Sequence, residues 1–371
     1  MRLGVTAALA GGELVDGDVD IEDGVVARVG VSPAGSAGIA VPGFIDVHIN
    51  GIAGVDFLTA DSDAYRQAGE ALARTGVVAY QPTFVSSGED AYHEPLRAAE
   101  AARAEAGADG LPLVLGVHLE GPFLSPEWPG AHAPEHLRLP DLGLAERLVG
   151  GGPVTTVTLA PELPGALELI DWLVARDVVV SCGHSDAGAA QAHAAFDRGA
   201  RAITHVHNAH RRWRPRDPGL AGAALVRPDV TVQAIVDGVH LAPETAYGSF
   251  LAARERFCLV TDAIEAAMLD PGEYELGGRS VRLRDGAVRL PDGTLAGSVL
   301  TMDEAVRNLV ASGADWGDAV LAASTAPARL LRRDDLGRLE PGAPAHVTVL
   351  DDDLRVLRTL VSGREALSAS A

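Results

Sequence analysis

The sequence predicts an α/β protein, a (β/α)₈ TIM-type barrel with a small β-sandwich domain built from both chain termini. Apolar, strand-like runs alternate along the chain with helix-like segments. Most of these runs are apolar throughout, which indicates strands buried on both faces. Polar side chains follow the runs, where such barrels carry their catalytic residues. With 371 residues, 47% of them hydrophobic, the chain is long enough for one large domain and a smaller one.

The two ends of the chain have β character of another kind. Residues 1–42 contain short alternating segments between Gly and Asp pairs, such as Val25–Val29, and therefore indicate a small antiparallel unit. Short β segments return in the tail. We expect residues 1–42 and 335–371 to form the small domain and residues 43–334 to form the barrel.

Eight apolar runs supply the predicted barrel strands: Phe44–Val47, Val77–Thr83, Leu113–Leu119, Val154–Leu159, Val178–Cys182, Ala202–Val206, Val230–Val236 and Phe257–Val260. Several helix-like segments between them open with Asp, Ser or Pro, and they include Asp63–Arg74, Glu89–Ala106, Leu163–Arg176, Ala187–Arg198 and Pro243–Arg256. Turn signals predict a hairpin insertion near residues 272–294. Helices are expected again at Met302–Ala311 and Trp316–Leu331.

The composition excludes several classes of function. A formal net charge of -21 argues against binding nucleic acid or an anionic membrane, because both require a basic surface. Early acidic residues and the lack of a long uncharged apolar run favour a cytoplasmic protein. Cys182 and Cys258 lie in apolar runs and are expected to be buried, reduced thiols.

The chain contains no lysine, so all 30 of its basic residues are arginine. This excludes a Schiff-base lysine, a phosphate-binding lysine of the Walker type and a carbamylated lysine that bridges two metals.

The polar residues at the ends of the predicted strands favour a metal site. Polar residues lie at or just beyond the ends of the predicted strands: His48, Thr83, Glu120, Glu162, His184, His205, Asp237 and Asp262. Among them Glu120, His184 and His205 are the best metal ligands, and two imidazoles with one carboxylate suit Zn²⁺ or Fe²⁺. A single histidine is more often a packed or surface residue, but three such side chains at the ends of strands three, five and six favour a metal.

Other polar residues have supporting or open roles. His118 shares a strand face with Glu120 and is expected to support it. Asp262 follows the eighth strand and is the expected general base, with a structural ligand or a helix cap as the alternatives. His48 and Asn50 have ligand-like spacing. The remaining histidines lack converging partners and are expected at the surface: His93, His136, His193 and His346.

The segment from His205 to Gly219 concentrates four arginines in an otherwise acidic chain. Arg211, Arg212 and Arg214 fit a solvated loop and an anion site equally well. A guanidinium offers bidentate contacts to phosphate or carboxylate, and backbone donors at Asn208 and Ala209 would add to them.

Short motifs occur in one collinear order along essentially the whole chain: Pro42-Gly-Phe-Ile-Asp-Val-His48, His118-Leu-Glu-Gly-Pro-Phe123, Gly130-Ala-His132, Thr158-Leu-Ala-Pro-Glu162, Gly183-His184, Thr204-His205, Asn208-Ala209, Pro218-Gly-Leu-Ala-Gly222, Asp237-Gly-Val-His240, Thr261-Asp262, Leu295-Ala-Gly-Ser298, Ala323-Ser-Thr325 and Pro327-Ala328. Together they resemble the N-acetylglucosamine-6-phosphate deacetylases of the amidohydrolase superfamily. The segments at His118 and Leu295 are the more specific ones.

The resemblance implies a metal-dependent hydrolase that removes acetate from N-acetyl-D-glucosamine 6-phosphate and forms a homodimer. It implies that Glu120, His184 and His205 are the metal ligands and that Asp262 is the catalytic acid and base. It further implies that His132 stabilises the oxyanion and that Arg216 binds the phosphate across the dimer. The implied substrate contacts are Ala131, His132, Asn208, Ala209, Arg216, His240, Leu295, Ala296 and Gly297.

The chain departs from the family pattern at two places. His207 and His210 stand where relatives commonly carry an aromatic residue and a methionine, so sugar recognition or metal recruitment is expected to differ. Many relatives have two histidines after the first strand, where this chain has His48 and Asn50. We therefore expect one Zn²⁺ per subunit, with Fe²⁺ or another divalent metal as the alternative, and a weak second site at His48 and Asn50.

Two other functions stay open at this point. One is deacetylation of a related substrate, such as N-acetylgalactosamine 6-phosphate or another acylated amine. The other is a non-catalytic sugar-phosphate sensor.

Overall fold

The computed structural model describes residues 1–105, 107 and 109–366. Within them, eight parallel strands form a nearly closed barrel, which confirms the predicted barrel. We number them barrel strands 1 to 8, and they are Phe44–Ile49, Val77–Val85, Val117–Glu120, Val154–Leu159, Val179–Cys182, Ala202–Ile203, Thr231–Ala234 and Phe257–Leu259.

The predicted third strand is divided at Gly116. A short strand, Leu113–Val114, pairs with barrel strand 2, and barrel strand 3 begins at Val117. Gly116 has a φ of +105°, and a Cβ placed on it would lie 2.5 Å from the Thr155 hydroxyl oxygen. Glycine is therefore the residue that fits this bend.

Barrel strands 8 and 1 meet at their carboxyl ends. The Asp262 N–H donates to the His48 carbonyl at 2.8 Å. The Thr261 hydroxyl donates to Oδ2 of Asp46 at 2.5 Å. Burial raises the pKa of Asp46 to about 6, although the hydrogen bond from the Thr261 hydroxyl opposes the shift. This closure holds Asp262 next to barrel strand 1.

Helices cover the outside of the barrel. Asp61 and Asp141 cap two of them, since their carboxylates accept from the backbone N–H groups of Ala64 and Leu144. The predicted segment that ends at Ala106 contains a 3₁₀ turn and a helix, and Ala106 itself lies outside the described residues. The α-helices are Ser62–Arg74, His93–Glu105, Leu142–Gly150, Ala166–Val174, Ala189–Asp197, Gly219–Val226, Pro243–Ala253, Met302–Ala311, Trp316–Ala323 and Thr325–Leu330, and the 3₁₀ turns are Glu89–Tyr92, Pro134–His136 and Arg254–Arg256.

The helix predicted over Trp316–Leu331 is wrong as one element. The structure has two helices, and Ser324 between them leaves the helical conformation with φ -130° and ψ -66°. Pro327 accounts for the break, because it lacks an N–H and its ring would clash with a carbonyl four residues earlier in a continuous helix.

Strands from both ends of the chain form one sheet, in the order Glu13–Asp16, Ala7–Ala10, Ile39–Pro42, Val347–Leu350, Val356–Val361 and Arg364–Glu365. A hairpin of Asp18–Glu22 and Val25–Val31 lies beside it, and both share an apolar cluster separate from the barrel core. The division into a β-sandwich domain and a barrel domain stays a prediction, and residues 367–371 of the predicted small domain lie outside the described residues.

His346 corrects one expectation. It was predicted at the surface with His93, His136 and His193, but it is only 5% exposed. Its Nδ1 accepts from the Ser362 N–H at 3.3 Å, and burial lowers its pKa to about 4. It directly precedes an inner strand of the terminal sheet, which explains its burial.

An antiparallel three-stranded sheet, Gly272–Leu276, Arg279–Arg284 and Ala287–Arg289, occupies the region of the expected hairpin insertion. We call this sheet the insertion. In the described part of the chain, every helix is too short or too polar to span a membrane.

Two glycine substitutions test the packing of the barrel in opposite directions. A Cβ at Gly43 would lie 2.3 Å from a Val78 methyl group, whereas Gly248 is an exposed helix position with open space around it. We expect Gly43→Ala to destabilise the protein by roughly 1–3 kcal/mol. Gly248→Ala should stabilise it by about 0.5–1 kcal/mol.

Thermal unfolding of both variants measures this contrast. An unchanged melting temperature for Gly43→Ala would contradict the close packing at the start of barrel strand 1.

Candidate metal centre and active-site cavity

Three buried side chains meet at the carboxyl end of the barrel. Glu120 ends barrel strand 3, and His184 and His205 follow barrel strands 5 and 6. Oε1 of Glu120 lies 3.2 Å from His184 Nε2 and 3.1 Å from His205 Nε2, and the two Nε2 atoms are 3.2 Å apart. The structure thus brings together the residues that the sequence singled out as metal ligands.

Hydrogen bonds on the far side of each ring fix the tautomers of the two histidines. His184 Nδ1 lies 3.0 Å from the Trp128 carbonyl, and His205 Nδ1 lies 3.2 Å from the Asn208 carbonyl. A carbonyl only accepts, so each Nδ1 carries the proton and donates it. Each Nε2 is left with a lone pair directed at the centre, as a metal ligand requires.

The donor set fits a divalent metal. Two bare imidazole nitrogens and a carboxylate oxygen face one point, and such an acceptor-only group is stabilised by a cation. Nitrogen and oxygen donors in this ratio suit Zn²⁺ or Fe²⁺.

The second oxygen of Glu120 faces a second group. Oε2 lies 3.5 Å from His48 Nε2, and that nitrogen lies 3.2 Å from Asp262 Oδ1. His48, Glu120 and Asp262 therefore form another set with metal-ligand geometry. Asn50 Nδ2 donates to Asp262 Oδ1 at 2.6 Å. The weak second site was expected at His48 and Asn50, and the structure instead joins His48 with two carboxylates while Asn50 orients one of them.

His132 contributes a hydrogen-bond donor at the same place. The Ser86 N–H donates to His132 Nδ1 at 3.1 Å, so the neutral ring carries its proton on Nε2. That Nε2 lies 3.3 Å from Glu120 Oε2. His132 can therefore donate to an oxygen bound beside the carboxylate.

The carboxylates are ionised despite their burial. Burial by itself would raise the pKa of Glu120, but the charge of His48, followed by the close contacts with His132, His184 and His205, holds that pKa well below its usual range. Burial likewise opposes ionisation of Asp262, and His48 lowers its pKa below the usual value. Asp262 is therefore able to accept a proton at neutral pH.

His118 supports the centre from inside the barrel. Its Nδ1 lies 3.1 Å from the Thr83 hydroxyl and its Nε2 lies 2.7 Å from the Thr158 hydroxyl. Its ring packs edge-on against His48, with centroids 4.7 Å apart. Both ring nitrogens are thus engaged, so His118 orients neighbours instead of facing the centre.

A cavity of about 440 Å³ opens above these residues. The predicted substrate contacts that line it are Ala131, His132, Asn208, Ala209, His240, Leu295 and Gly297. Ala296 is fully buried behind its neighbours. Arg216 is exposed and lies outside the cavity lining of its own chain, whereas Arg212 lines the cavity.

His240 is held in the cavity wall by Asp237. The Asp237 carboxylate accepts from His240 Nδ1 at 2.7 Å and from the His240 backbone N–H at 2.7 Å. His240 Nε2 is therefore the ring atom left for a ligand. Sequence reasoning missed Trp128, which lies on a loop, and Leu276, which ends the first strand of the insertion, because neither belongs to the repeated strand-helix pattern of the barrel. Arg212, whose role the sequence left open between a solvated loop and an anion site, also lines the cavity.

His207 and His210, which form one of the two departures from the family pattern, follow His205 on the same loop. His210 is buried, and its Nε2 donates to the Thr204 carbonyl at 2.9 Å. His207 contacts the Ser249 hydroxyl at 3.0 Å and stacks on Trp213. Neither belongs to the two candidate metal groups of the described residues.

Three residues of the centre have a left-handed backbone conformation. The φ angle is +48° at His184, +30° at His205 and +48° at Asp262. Non-glycine residues seldom adopt such angles, although Asp and His do so more often than most. Each of these positions carries a backbone strain on the order of 1–3 kcal/mol.

The chain is similar over nearly its whole length to several known deacetylases. An N-acetylgalactosamine-6-phosphate deacetylase of Escherichia coli O157:H7 is 38% identical over 363 residues, which cover 96% of this chain and 96% of that protein. An N-acetylglucosamine-6-phosphate deacetylase of Lysinibacillus sphaericus is 32% identical over 379 residues, covering 97% and 96%. A variant of the Mycobacterium smegmatis N-acetyl-D-glucosamine-6-phosphate deacetylase, solved in complex with N-acetyl-D-glucosamine-6-phosphate, matches with a TM-score of 0.93 at 34% identity over 99% of each chain.

The amidohydrolase family model matches residues 39–366, which include every side chain of the centre described above. On this match and on relatives that align over nearly the full length, the chain belongs to the amidohydrolase family.

Proposed function

We propose that this chain removes acetate from N-acetyl-D-glucosamine 6-phosphate by metal-dependent hydrolysis and leaves D-glucosamine 6-phosphate. The observation that carries the proposal is Asp262 beside the buried set of Glu120, His184 and His205, on the lining of a cavity. A carboxylate at that position can move a proton between water and an amide nitrogen. The two deacetylase relatives and the substrate-bound structure of a third support the amino-sugar substrate.

The residues of the chain divide the chemistry between them. A divalent metal held by Glu120, His184 and His205 would supply Lewis-acid chemistry and make water nucleophilic near neutral pH. Asp262 accepts the proton of the attacking water and returns it to the amide nitrogen, because an amine is too basic to leave unprotonated. His132 donates from Nε2 to the carbonyl oxygen as that oxygen becomes negative.

We further propose one Zn²⁺ per subunit, with Fe²⁺ as the alternative, because both metals take this set of nitrogen and oxygen donors. A cytoplasmic location fits Cys182 and Cys258, which are buried unpaired thiols. The sheet shared by both termini supports the small β-sandwich domain of residues 1–42 and 335–371 beside the barrel of residues 43–334.

A second candidate substrate is N-acetylgalactosamine 6-phosphate. The Escherichia coli O157:H7 relative that bears this activity in its name is 38% identical over 96% of the chain, which lies within the 32–40% range of the relatives named N-acetylglucosamine-6-phosphate deacetylase. The two sugars differ only in the configuration of one ring hydroxyl, so the same centre can serve either.

We also propose a homodimer in which Arg216 reaches the phosphate of the neighbouring subunit. Within the described residues Arg216 has no hydrogen bond or ion pair, whereas Arg211 pairs with Asp217 and Asp186. Trp213 on the same loop is 51% exposed, which is unusual for so large an apolar side chain and fits a contact surface.

Acetate release from a panel of phosphorylated and free N-acetylhexosamines tests the function. We expect faster release from N-acetyl-D-glucosamine 6-phosphate than from the unphosphorylated sugar, because Arg212 on the cavity lining suits an anionic substrate. The ratio between the gluco and galacto 6-phosphates decides between the two candidates. No release from any member of the panel would contradict the enzyme and favour the sensor.

Two carboxylate variants should separate chemistry from metal binding. Asp262→Asn removes the base, and we expect turnover to fall by roughly 10²- to 10⁴-fold while metal content is kept. Glu120→Gln weakens the centre, and metal content and turnover should fall together. Glu127, which lines the cavity outside the centre, gives the matched control Glu127→Gln with normal metal content. Turnover of Asp262→Asn close to that of the unaltered protein would contradict its assigned role.

Complementation tests the shared phosphate site. Arg216→Ser should raise the KM of the phosphorylated sugar, and Asp262→Asn should be inactive. In a coexpressed heterodimer the Arg216→Ser subunit has an intact Asp262 and receives Arg216 from its partner, so activity should return. Arg214→Ser provides the control with normal KM. Activity no greater than that of the two homodimers would contradict the contribution across the dimer.

A further inference from the structure

One arginine of the insertion contacts the backbone that carries His132. Arg279 begins the second strand of the insertion, Arg279–Arg284. Its Nη1 lies 3.0 Å from the Ala131 carbonyl and 3.3 Å from the His132 carbonyl. Both of these residues line the cavity, so a side chain from outside the barrel holds part of the cavity wall.

The loop before His132 is attached to the barrel at other points. The Trp128 carbonyl accepts from His184 Nδ1 at 3.0 Å, and Trp128 Nε1 donates to Asp186 at 2.9 Å. These contacts fix the beginning of the loop. In the described part of the chain, the hydrogen bonds to the carbonyls of Ala131 and His132 come from Arg279.

The insertion is itself fixed against barrel strand 2. Gly277, in the turn before Arg279, has a φ of +54°, and a Cβ on it would lie 2.6 Å from a Val85 methyl group. Val85 immediately precedes Ser86, whose N–H donates to the His132 ring. Ser86 therefore holds the ring of His132, and Arg279 holds its backbone. The chain segments that carry these two donors pack against each other.

Arg279 is otherwise little engaged. Within the described residues no carboxylate pairs with it at 4 Å or less. Hydrogen bonds from Thr294 and, more weakly, the charge of Arg279 lower the pKa of Asp292. Arg279 thus lies near the loop that leads to Leu295 in the cavity wall, and its hydrogen-bonding role is toward the backbone.

We propose that Arg279 is a positioning residue for deacetylation, which fixes the Ala131–His132 backbone so that His132 Nε2 meets the developing oxyanion. This inference rests on the proposed function and concerns a residue that lies outside the cavity lining and, among the described residues, outside both candidate metal groups. A donor displaced by about 1 Å can cost on the order of 100-fold in rate. The contribution is made in the transition state, so kcat should change more than KM.

The first test replaces the guanidinium and keeps the chain length. Arg279→Met should lower kcat by roughly 10- to 100-fold, with KM, metal content and melting temperature near those of the unaltered protein. Arg279→Lys should recover part of the loss, because a single nitrogen makes both contacts. The control is Arg282→Met on the same strand, whose side chain pairs with Glu273 at the surface. It should leave kcat unchanged.

A double variant shows whether Arg279 acts through His132. In a His132→Asn background, Arg279→Met should cause little further loss, because the group that it positions is absent. The same proportional loss in both backgrounds would overturn the inference, and so would a loss matched by lower metal content or lower melting temperature. Absence of acetate release from the unaltered protein would instead overturn the proposed function.

Discussion

The buried carboxylate of Glu120 is the interaction on which the rest of the site depends. A charge in a protein interior is costly unless it is paired, and four imidazoles lie around this one. Oε1 faces His184 and His205, and Oε2 faces His48 and His132. These histidines come from different strands and from one loop. The contacts of a single carboxylate therefore join side chains from barrel strands 1, 3, 5 and 6. A small shift of any one of these strands changes the distances between Glu120 and its neighbouring histidines.

The barrel and the core of the centre could be predicted because their signals are local. An apolar run followed by one polar residue identifies both a strand and its functional end, as at Glu120, His184 and His205. The link between Asp262 and Asn50 has no such signal. The two residues are 212 positions apart and meet only because barrel strands 8 and 1 close the barrel. For this reason the sequence suggested Asn50, which lies two positions after His48, as the partner of His48 in a weak second site. In the structure His48 lies beside Glu120 and Asp262 instead.

Loops and packing account for the remaining differences. Residue type suggested exposure for His346, but its burial follows from its place before an inner strand. The sequence left Arg212 open between a solvated loop and an anion site, and the structure has it on the cavity lining, since side-chain direction on a loop depends on contacts that no period encodes. Arg279 was also beyond sequence reasoning, because its importance lies in two backbone carbonyls and not in a charged partner. The order of apolar runs and polar residues along the chain thus predicts the functional residues at strand ends, but not those on loops or in the insertion.

The left-handed backbone at His184, His205 and Asp262 has a consequence for the evolution of the protein. At about 1–3 kcal/mol each, these positions together lower stability by an amount comparable with the whole net stability of many domains, about 5–15 kcal/mol. Selection for heat resistance alone would favour glycine at all three and would abolish the chemistry. The mouth of the barrel is thus where stability has been exchanged for activity, and a thermostable form has to gain its stability elsewhere, in the helices and the terminal sheet.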